Sequence, residues 1–592
     1  MVPNFVPNSS LTVAEVFFAE KFLESVHYRT VDSYRTRLHN PRTILQELYQ
    51  VLLDFQNNKI KSFSITIEPV KIEAMKLLEQ EQGLCFDTID KKLLLDSINS
   101  AKTRDTLKKA IYALKLVLND NKNYCTNLFS EIKKQILKLN EEVISDVNVL
   151  RNLSELLNFL ASELSYLGYD RSYLYKCIKN NFKDKSKNTF WDGFEKLGNL
   201  ANRQQEDFKV IFKVSIIPKD SVKLQSEYLL EKEKIEEISK LNKSCHNFFS
   251  KRSNDIMRFI GITCNGSDYL AVIPVARKRL STIIDAIHLG FPDTNVIVHS
   301  RALVVGKEAV KSEHHRIELR IDGHYRNDQS LYEDFISKLT SIEKKLSAVV
   351  GVQVAAETYK KLISAARYLR LGSEAHEVEQ KFINYWIGLE YLFSNYDIEE
   401  NTISRLKEHF INSHTLIYFK RNIIELHEDI KRLKIDDYSK NGESIEYLEK
   451  QNTYDEIIKK YLHKHPLLAY RASRIKEYII DKKLRLAHLE KHRENLKGQL
   501  TRCYRVRNEI VHEAAIHTNI SLITGNVRYY LTFMLNSLIE YLHTADLDID
   551  SDGQITIDDF FMMQDLAYQN IKLKGYRITD LLSIQSATEI FS

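Results

Sequence analysis

Glycine and proline are scarce in this chain, which has 17 glycines and 8 prolines among its 592 residues. Average usage is about 7% for glycine and about 5% for proline. Both residues interrupt regular elements, so their scarcity leaves long, uninterrupted segments, and we expect the chain to be mostly helical. At roughly 100–200 residues per domain, the length allows about three to five domains and a sizeable hydrophobic core.

Paired cysteines and nucleotide-binding loops are missing. No CxxC pair occurs, which argues against a zinc site built from paired thiols. The six cysteines are scattered singly, as is typical of a reducing compartment: Cys85, Cys125, Cys177, Cys245, Cys264 and Cys503. Neither GxxxxGK nor GxGxxG is present, so the sequence gives no support for chemistry driven by a bound nucleotide.

Long apolar runs are also missing. No window approaches the ~18 apolar residues of a membrane-spanning helix. The first residues, MVPNFVPNSSLTVAEVFFAEKF, lack the basic region and the long apolar core of a secretory signal. We therefore expect a cytoplasmic protein without membrane contact.

The net charge of +5 is too small to indicate a polyanionic partner by itself, but it is unevenly distributed. Residues 485–507 contain two acidic residues, Glu490 and Glu494, and seven basic ones. The surplus of five in this segment equals that of the whole chain. The basic residues are Arg485, Lys491, Arg493, Lys497, Arg502, Arg505 and Arg507.

Residues 1–205 are predicted to form a helical N-terminal region, because apolar residues recur at helical spacing. The sequence TVAE, from Thr12 to Glu15, predicts a capping box at the start of the first helix. One exception is the segment KSFSITIEP, residues 61–69, whose alternating apolar residues predict a strand.

Residues 206–325 are predicted to form a small α+β domain, which serves as an insert or a sensor. FKVIFKVSI alternates as a half-buried strand does, and FIGITCNGSDYLAVIPV predicts a hairpin with its turn at Asn265 and Gly266. RKRLSTIIDAIHLGF is amphipathic and predicts a helix. NVIVHSRALVV and HRIELRI predict two further strands.

The helical period returns after this domain and continues almost to the end of the chain. We predict a helical bundle over residues 345–545 and a C-terminal extension over residues 546–592. The predicted fold class is therefore mainly α and multidomain, with one small α+β domain in the centre.

The C-terminal extension contains the acidic segment DIDSDGQITIDD, residues 548–559, which matches a calcium-loop pattern. Asp559 occupies the last ligand position, where glutamate is usual, and no partner loop is present. A polar connection between two helices has a similar composition. Both interpretations stay open, and no metal is predicted to take part in catalysis.

The segment RVRNEIVHEA, residues 505–514, holds the one histidine that follows an arginine by five positions, His512 after Arg507. In a helix, Asn508 and His512 share a face, and Arg507 lies about 100° further round. Histidine exchanges protons near neutral pH, and arginine stabilises negative charge on a phosphate. The three side chains are therefore candidates for RNA cleavage through the substrate's 2′-OH.

The basic flank of this pair predicts a surface that follows the phosphates of RNA. We expect Arg502, Arg505 and Tyr504 to bind RNA there. One histidine and one arginine are a small catalytic set, so two facing copies would supply both the acid and the base. This reasoning predicts a dimeric site; a solvated helix face is the alternative.

RNEIVH, with asparagine directly after the arginine, resembles the signature of HEPN domains. The upstream helix EQKFINYWIGLEYLF resembles the helix that precedes the signature in the Apea-like branch of that superfamily. The resemblance covers residues 345–545. It implies an all-α bundle, commonly dimeric, with the signature at the dimer cleft.

The resemblance also implies an activity. Catalytic HEPN proteins are metal-independent endoribonucleases that require no cofactor, many of them in bacterial antiviral defence, including abortive infection. The resemblance implies that Arg507 and His512 are the catalytic pair, that Asn508 orients the site and that Glu390 supports it. We expect an RNA substrate, a homodimer or higher oligomer, and a phage-derived trigger or regulatory partner sensed by the N-terminal region. The alternative is a non-catalytic HEPN protein that binds RNA or a partner, such as an antitoxin-like or scaffold component.

Overall fold

The computed structural model describes most of the chain. The described residues are 11–27, 39–60, 62–81, 89–120, 123–141, 144–183, 189–218, 228–250, 257–307, 310–314, 329–347, 353–375, 377–395, 401–433, 435, 445–513, 520–545 and 553–573. They divide into two compact units: the second comprises residues 26–29 and 161–325, and the first comprises the rest of the chain.

The described part of the chain is mainly helical, as predicted. Before the sheet the helices are α1 Val13–Val26, α2 Pro41–Gln56, α3 Glu68–Glu79, α4 Lys91–Asn99, α5 Arg104–Asp120, α6 Tyr124–Glu141, α7 Leu150–Tyr166, α8 Arg171–Lys183 and α9 Phe190–Gly198. None of the described helices is both long enough and apolar enough to cross a lipid bilayer.

The capping box predicted at Thr12 is confirmed. The backbone N–H of Thr12 donates to Glu15 Oε2 at 3.0 Å, and the N–H of Glu15 donates to Thr12 Oγ1 at 3.3 Å. These two bonds satisfy backbone donors that have no partner within the helix.

The strand predicted for residues 61–69 is wrong. Residues Phe63–Ile67 form one π-helical turn that leads directly into α3. Ser62 caps this turn, since its Oγ accepts from the backbone N–H of Ile65 at 3.4 Å. Pro69 then occupies the first turn of α3, where its missing N–H costs nothing. These local helix signals outweigh a short alternation of apolar residues.

The second unit contains a four-stranded antiparallel sheet in the order β2-β1-β3-β4. Its strands are β1 Glu206–Ile217, β2 Met257–Gly266, β3 Asn295–Val305 and β4 Val310–His314. One face of the sheet packs on α12, Val272–Gly290. The other face packs on α10, Lys232–Ser239, and α11, Lys243–Ser250. The strands predicted in FKVIFKVSI and NVIVHSRALVV and the helix predicted in RKRLSTIIDAIHLGF are confirmed, whereas HRIELRI lies outside the described residues.

The hairpin predicted around Asn265 and Gly266 is wrong. β2 ends at Gly266 and pairs with β1, where Glu206 lies opposite Gly266. The apolar run that follows belongs to α12. Asp268 caps the turn that leads into this helix, because its Oδ1 accepts from the backbone N–H groups of Leu270 and Ala271 at 2.7 and 2.9 Å.

The C-terminal part of the first unit is a helical bundle. Its elements are α13 Gln329–Leu346, β5 Gln353–Val354, α14 Ala356–Glu374, α15 Val378–Phe393, α16 Thr402–Arg405, α17 Ile411–Arg432, α18 Gln451–Tyr461, α19 Pro466–Ile480, α20 Lys482–Glu513, α21 Ile520–Thr544, β6 Gln554–Ile555 and α22 Ile557–Leu573. The core of α14, α15, α20 and α21 includes Trp386, which is fully buried. A Cβ atom at Gly372 would lie 2.3 Å from the Tyr385 ring, so glycine permits the close approach of α14 and α15.

A buried cluster of charges joins α1 to α17 and α19. Arg471 forms ion pairs with Glu24 and Asp429, and Lys21 pairs with Glu24 at 2.6 Å. Burial favours the neutral form of Glu24, but Lys21 and Arg471 outweigh it and hold the pKa at about 2. Burial raises the pKa of Glu20 to about 8, although the backbone N–H of Leu467 donates to its carboxylate at 3.2 Å.

These opposite shifts predict opposite pH effects on the free energy of unfolding. Glu20 has a folded pKa above its ordinary value of 4.5, so its protonation favours the folded state and that stability is lost as pH rises from about 5 to 8. We expect Glu20→Gln to be more stable than the wild type at pH 9 and equally stable at pH 5, as measured by urea unfolding. Glu24→Gln is the matched control and should destabilise the protein at both pH values. A Glu20→Gln variant without this pH-dependent gain would contradict the assignment.

Candidate functional site

The predicted site residues lie together near the C-terminal end of α20, a helix of 32 residues. Arg507 and Asn508 are partly buried, and His512 is exposed in the last turn. Because helical neighbours are rotated by about 100°, Asn508 and His512 share one face and Arg507 lies beside it. The helical placement predicted from RNEIVH is therefore present.

Arg507 is held from two sides. Its Nη1 donates to Asn508 Oδ1 at 3.1 Å, and its Nη2 lies 3.9 Å from Glu390 Oε2 on α15. Glu390 is itself oriented by Trp386, whose Nε1 donates to the same carboxylate oxygen at 3.2 Å. The expected support of Arg507 by Glu390 thus has a geometric basis. The Arg507 side chain keeps 29% of its surface exposed, so the guanidinium is positioned but still accessible.

His512 is free to meet a ligand. Among the described residues, its imidazole has neither a hydrogen-bond partner nor an ion-pair partner. It is also exposed to solvent. A proton carrier needs such access, since the imidazole must reach the substrate atom that it protonates or deprotonates.

Arg502 and Arg505, predicted to bind RNA, point instead at the N-terminal helices. Arg502 is 2% exposed; its Nε donates to Glu47 Oε2 on α2 at 2.7 Å, and its Nη2 donates to Glu73 on α3. Arg505 Nη2 donates to the other oxygen of Glu47. In this arrangement Arg502 offers no surface to a phosphate, and the charge of Arg505 is largely compensated. We call the group of Glu47, Glu73, Arg502 and Arg505 the α20 clamp.

The α20 clamp stabilises the ionised form of the Glu47 carboxylate. Burial alone would raise the pKa of Glu47, but the charges of Arg502, Arg505 and His39 hold that pKa well below its usual range. Glycine at position 498 permits the close approach of α3, because a Cβ atom there would lie 2.8 Å from Glu73 Oε2.

The basic run of residues 485–507 does not form one continuous surface. Arg485 is 1% exposed and donates to the backbone oxygens of Tyr478 and Ile479. Arg493 contacts Asn412 and lies over the Tyr568 ring, with 4.3 Å between its guanidinium carbon and the ring centre. A helix of 3.6 residues per turn distributes such a run around its whole circumference. The described basic residues of this run therefore make separate contacts, and a surface that follows RNA phosphates stays a prediction.

Tyr504, the third residue predicted to bind RNA, is partly buried beside Trp386. The centres of the two rings lie 6.4 Å apart. Tyr504 also packs against the core of the bundle, so its main contacts are with the protein interior. Its contact with RNA stays a prediction.

The C-terminal part of the acidic segment, residues 553–559, lies within the described residues. Gly553 has a positive φ of 88°, a conformation that favours glycine, and Ile555 lies in β6. The Asp559 carboxylate accepts from the N–H and Oγ1 of Thr556 at 2.7 and 2.9 Å, which caps α22. Asp548, Asp550 and Asp552 lie outside the described residues.

No local pattern in the sequence indicates the distant partners of Arg502 and Arg505. Glu47 and Glu73 lie 455 and 429 residues before Arg502 along the chain. Charge spacing within a helix identifies partners three or four residues away, such as Glu509 for Arg505 at 3.7 Å. Only the packing of α2 and α3 against α20 reveals the distant carboxylates.

The chain was also compared with known proteins. No protein-family model matches it, and neither the curated proteins nor the solved structures give a significant match. The HEPN resemblance therefore depends on the residues of α15 and α20 themselves.

Proposed function

We propose that this protein is a metal-independent endoribonuclease of the HEPN type, with Arg507 and His512 as its catalytic residues. The observation that carries the proposal is the end of α20, where an accessible guanidinium is anchored by Asn508 and Glu390 and an exposed imidazole follows one turn later. Both side chains have the chemistry that phosphodiester cleavage requires.

In the proposed reaction, a neutral imidazole removes the proton of the RNA 2′-OH. The 2′-oxygen then attacks the adjacent phosphorus, and the bond from phosphorus to the 5′-oxygen breaks. The arginine compensates the negative charge on the phosphate oxygens in the transition state. A protonated imidazole donates a proton to the leaving 5′-oxygen. The products are a 2′,3′-cyclic phosphate and a 5′-hydroxyl end.

One histidine cannot be a neutral base and a protonated acid at the same time. Two copies of the chain that face each other would supply one imidazole for each task. We therefore propose a homodimer or a higher oligomer with a composite site. Asn508 is a positioning residue, since its amide oxygen fixes the guanidinium, and Glu390 supports it from α15.

A role in antiviral defence, including abortive infection, agrees with this activity. RNA cleavage arrests the host, so the enzyme would require restraint and a phage-derived trigger or a regulatory partner. The α20 clamp joins the N-terminal helices to the helix that carries the site. It is the structural route by which the N-terminal region would restrain or release the site.

A second candidate is a non-catalytic HEPN protein that binds a partner. One observation favours it: Arg502 and Arg505 are compensated by carboxylates, which reduces the positive charge available to RNA near the site. An antitoxin-like or scaffold component needs no such charge.

The proposal is tested by incubating the purified full-length chain with labelled RNA, with and without EDTA. We expect cleavage to persist in EDTA, because the nucleophile is the RNA's own hydroxyl. Analysis of the fragments should find 2′,3′-cyclic phosphate ends, and RNA with 2′-O-methyl groups should resist cleavage. Cleavage of the methylated RNA, or no cleavage of any RNA by an oligomeric sample, would favour the second candidate.

A further inference from the structure

A cleft separates α3 from the middle of α20, well before the site residues. Its volume is about 460 Å³, and its lining includes residues of both helices. Ligand sites in proteins have volumes of about 300–1,000 Å³, so the cleft can accept a molecule of mononucleotide size.

The charges of the cleft leave one lysine without a counter-charge. Three of its carboxylates are already paired: Glu73 with Arg502, Glu494 with Lys76, and Glu490 with Arg493. Lys497 also lines the cleft and is exposed, and no carboxylate among the described residues lies within ion-pair distance of it. A cation in this position is available to an anionic ligand.

A second lysine, which is not part of the lining, lies near enough to be affected by the charge of Lys497. Lys407 is partly buried, and its Nζ donates to the backbone oxygen of Ile65 at 3.2 Å. Burial and the nearby charge of Lys497 lower the pKa of Lys407 to about 8. The two cations repel each other, and an anion bound at Lys497 would reduce that repulsion.

The cleft also has an apolar part. Ile72 and Leu77 of α3 and Ile411 of α17 contribute to its lining, and Ile72 is 37% exposed. Exposed apolar surface beside an available cation is better suited to bind an organic phosphate that carries a planar ring with apolar faces than to bind a small inorganic ion.

We propose that this cleft binds a nucleoside monophosphate, with the phosphate at Lys497 and the base against Ile72, Leu77 and Ile411. Recognition would come from side-chain charge and apolar contact, without a glycine-rich phosphate loop. The site is distinct from the end of α20, and its binding function does not depend on RNA cleavage.

The position of the cleft gives the ligand access to the α20 clamp. Glu73 lines the cleft and holds Arg502, and His39 lines it and lies 3.0 Å from Glu47. A bound nucleotide would therefore lie beside one member of the clamp, Glu73, and beside His39, which contacts a second member, Glu47. Any consequence of this for RNA cleavage rests on the proposed nuclease function.

Binding is tested by isothermal titration calorimetry of the full-length chain with AMP, adenosine and inorganic phosphate, in the absence of RNA. We expect saturable binding of AMP and at least about tenfold weaker binding of adenosine and of phosphate, since each lacks one of the two recognised parts. A failure of the nuclease proposal does not affect this measurement.

Charge variants locate the site. Lys497→Glu should weaken AMP binding by at least about tenfold, because it replaces a charge-assisted contact with a repulsion. Glu79→Gln should strengthen binding, because Glu79 lines the cleft and repels a phosphate. Lys483→Glu is the matched control, since this exposed lysine lies on the same helix and is not part of the lining. Absence of saturable AMP binding, equal affinity for phosphate, or an affinity unchanged in Lys497→Glu would overturn the proposal.

Discussion

The His512→Ala variant is expected to cleave RNA about 10²–10⁴-fold more slowly than the wild type, the usual contribution of general acid–base catalysis. His512 is exposed and makes no hydrogen bond, ion pair or ring contact with the described residues, so its removal should change stability by less than about 0.5 kcal/mol. The rate is measured with a fluorescent RNA under single-turnover conditions, and the fold is checked by circular dichroism.

A matched series makes this result specific. His463→Ala removes another exposed histidine of the same unit and should keep the wild-type rate. Arg507→Lys keeps the positive charge but loses the planar guanidinium, which can donate two parallel hydrogen bonds to a phosphate. We therefore expect a large loss of cleavage rate in this variant too. Glu390→Gln should reduce the cleavage rate by less than about tenfold, because the ion pair between Glu390 and Arg507 is long, at 3.9 Å. Wild-type activity in His512→Ala would rule out the proposed chemistry.

Removal of the Glu47 carboxylate is expected to destabilise the protein by about 3 kcal/mol, the lower end of the usual cost of breaking a buried ion pair, because each arginine keeps a second carboxylate. Glu47→Ala would remove the carboxylate that Arg502 and Arg505 share, and would leave Glu73 as the partner of Arg502 and Glu509 as the partner of Arg505. The difference is measured as the free energy of unfolding in urea at neutral pH.

Two further variants separate this effect from a general defect of α2. Asp54→Ala removes a carboxylate from the same helix whose side chain accepts hydrogen bonds from Gln50 on the surface, and it should cost less than about 0.5 kcal/mol. In a double-mutant cycle, Glu47→Ala combined with Arg505→Ala should cost less than the sum of the single variants, because the two side chains interact. Additive costs would mean that the Glu47–Arg505 contact contributes nothing to stability.

Local sequence signals gave much of the secondary structure. Thr12 and Glu15 form the predicted capping box, and the alternation in FKVIFKVSI corresponds to β1. The errors have one common cause. At residues 61–69 and after Gly266, the period of an apolar run predicts strands, whereas Ser62 and Asp268 direct these segments into helical turns through side-chain hydrogen bonds.

The candidate site was predictable because its parts lie close together in the sequence. Arg507, Asn508 and His512 belong to one helix, and the 3.6-residue period fixes which of them share a face. The same helix predicts an RNA-binding role for Arg502 and Arg505 from their charge. The charge of an arginine does not predict which distant carboxylates will pack against it.

The amino-acid sequence by itself determined a mainly helical chain, the strands β1 and β3, and one helix that carries an arginine and a histidine at fixed spacing. The packing of distant helices was needed to show that Glu47 and Glu73 pair with Arg502 and Arg505, that Trp386 and Glu390 orient Arg507, and that Lys497 lines a cleft. The physical reason is the range of the interactions. Helical period and capping act over a few residues, whereas the pairing of buried charges depends on which distant helices pack together.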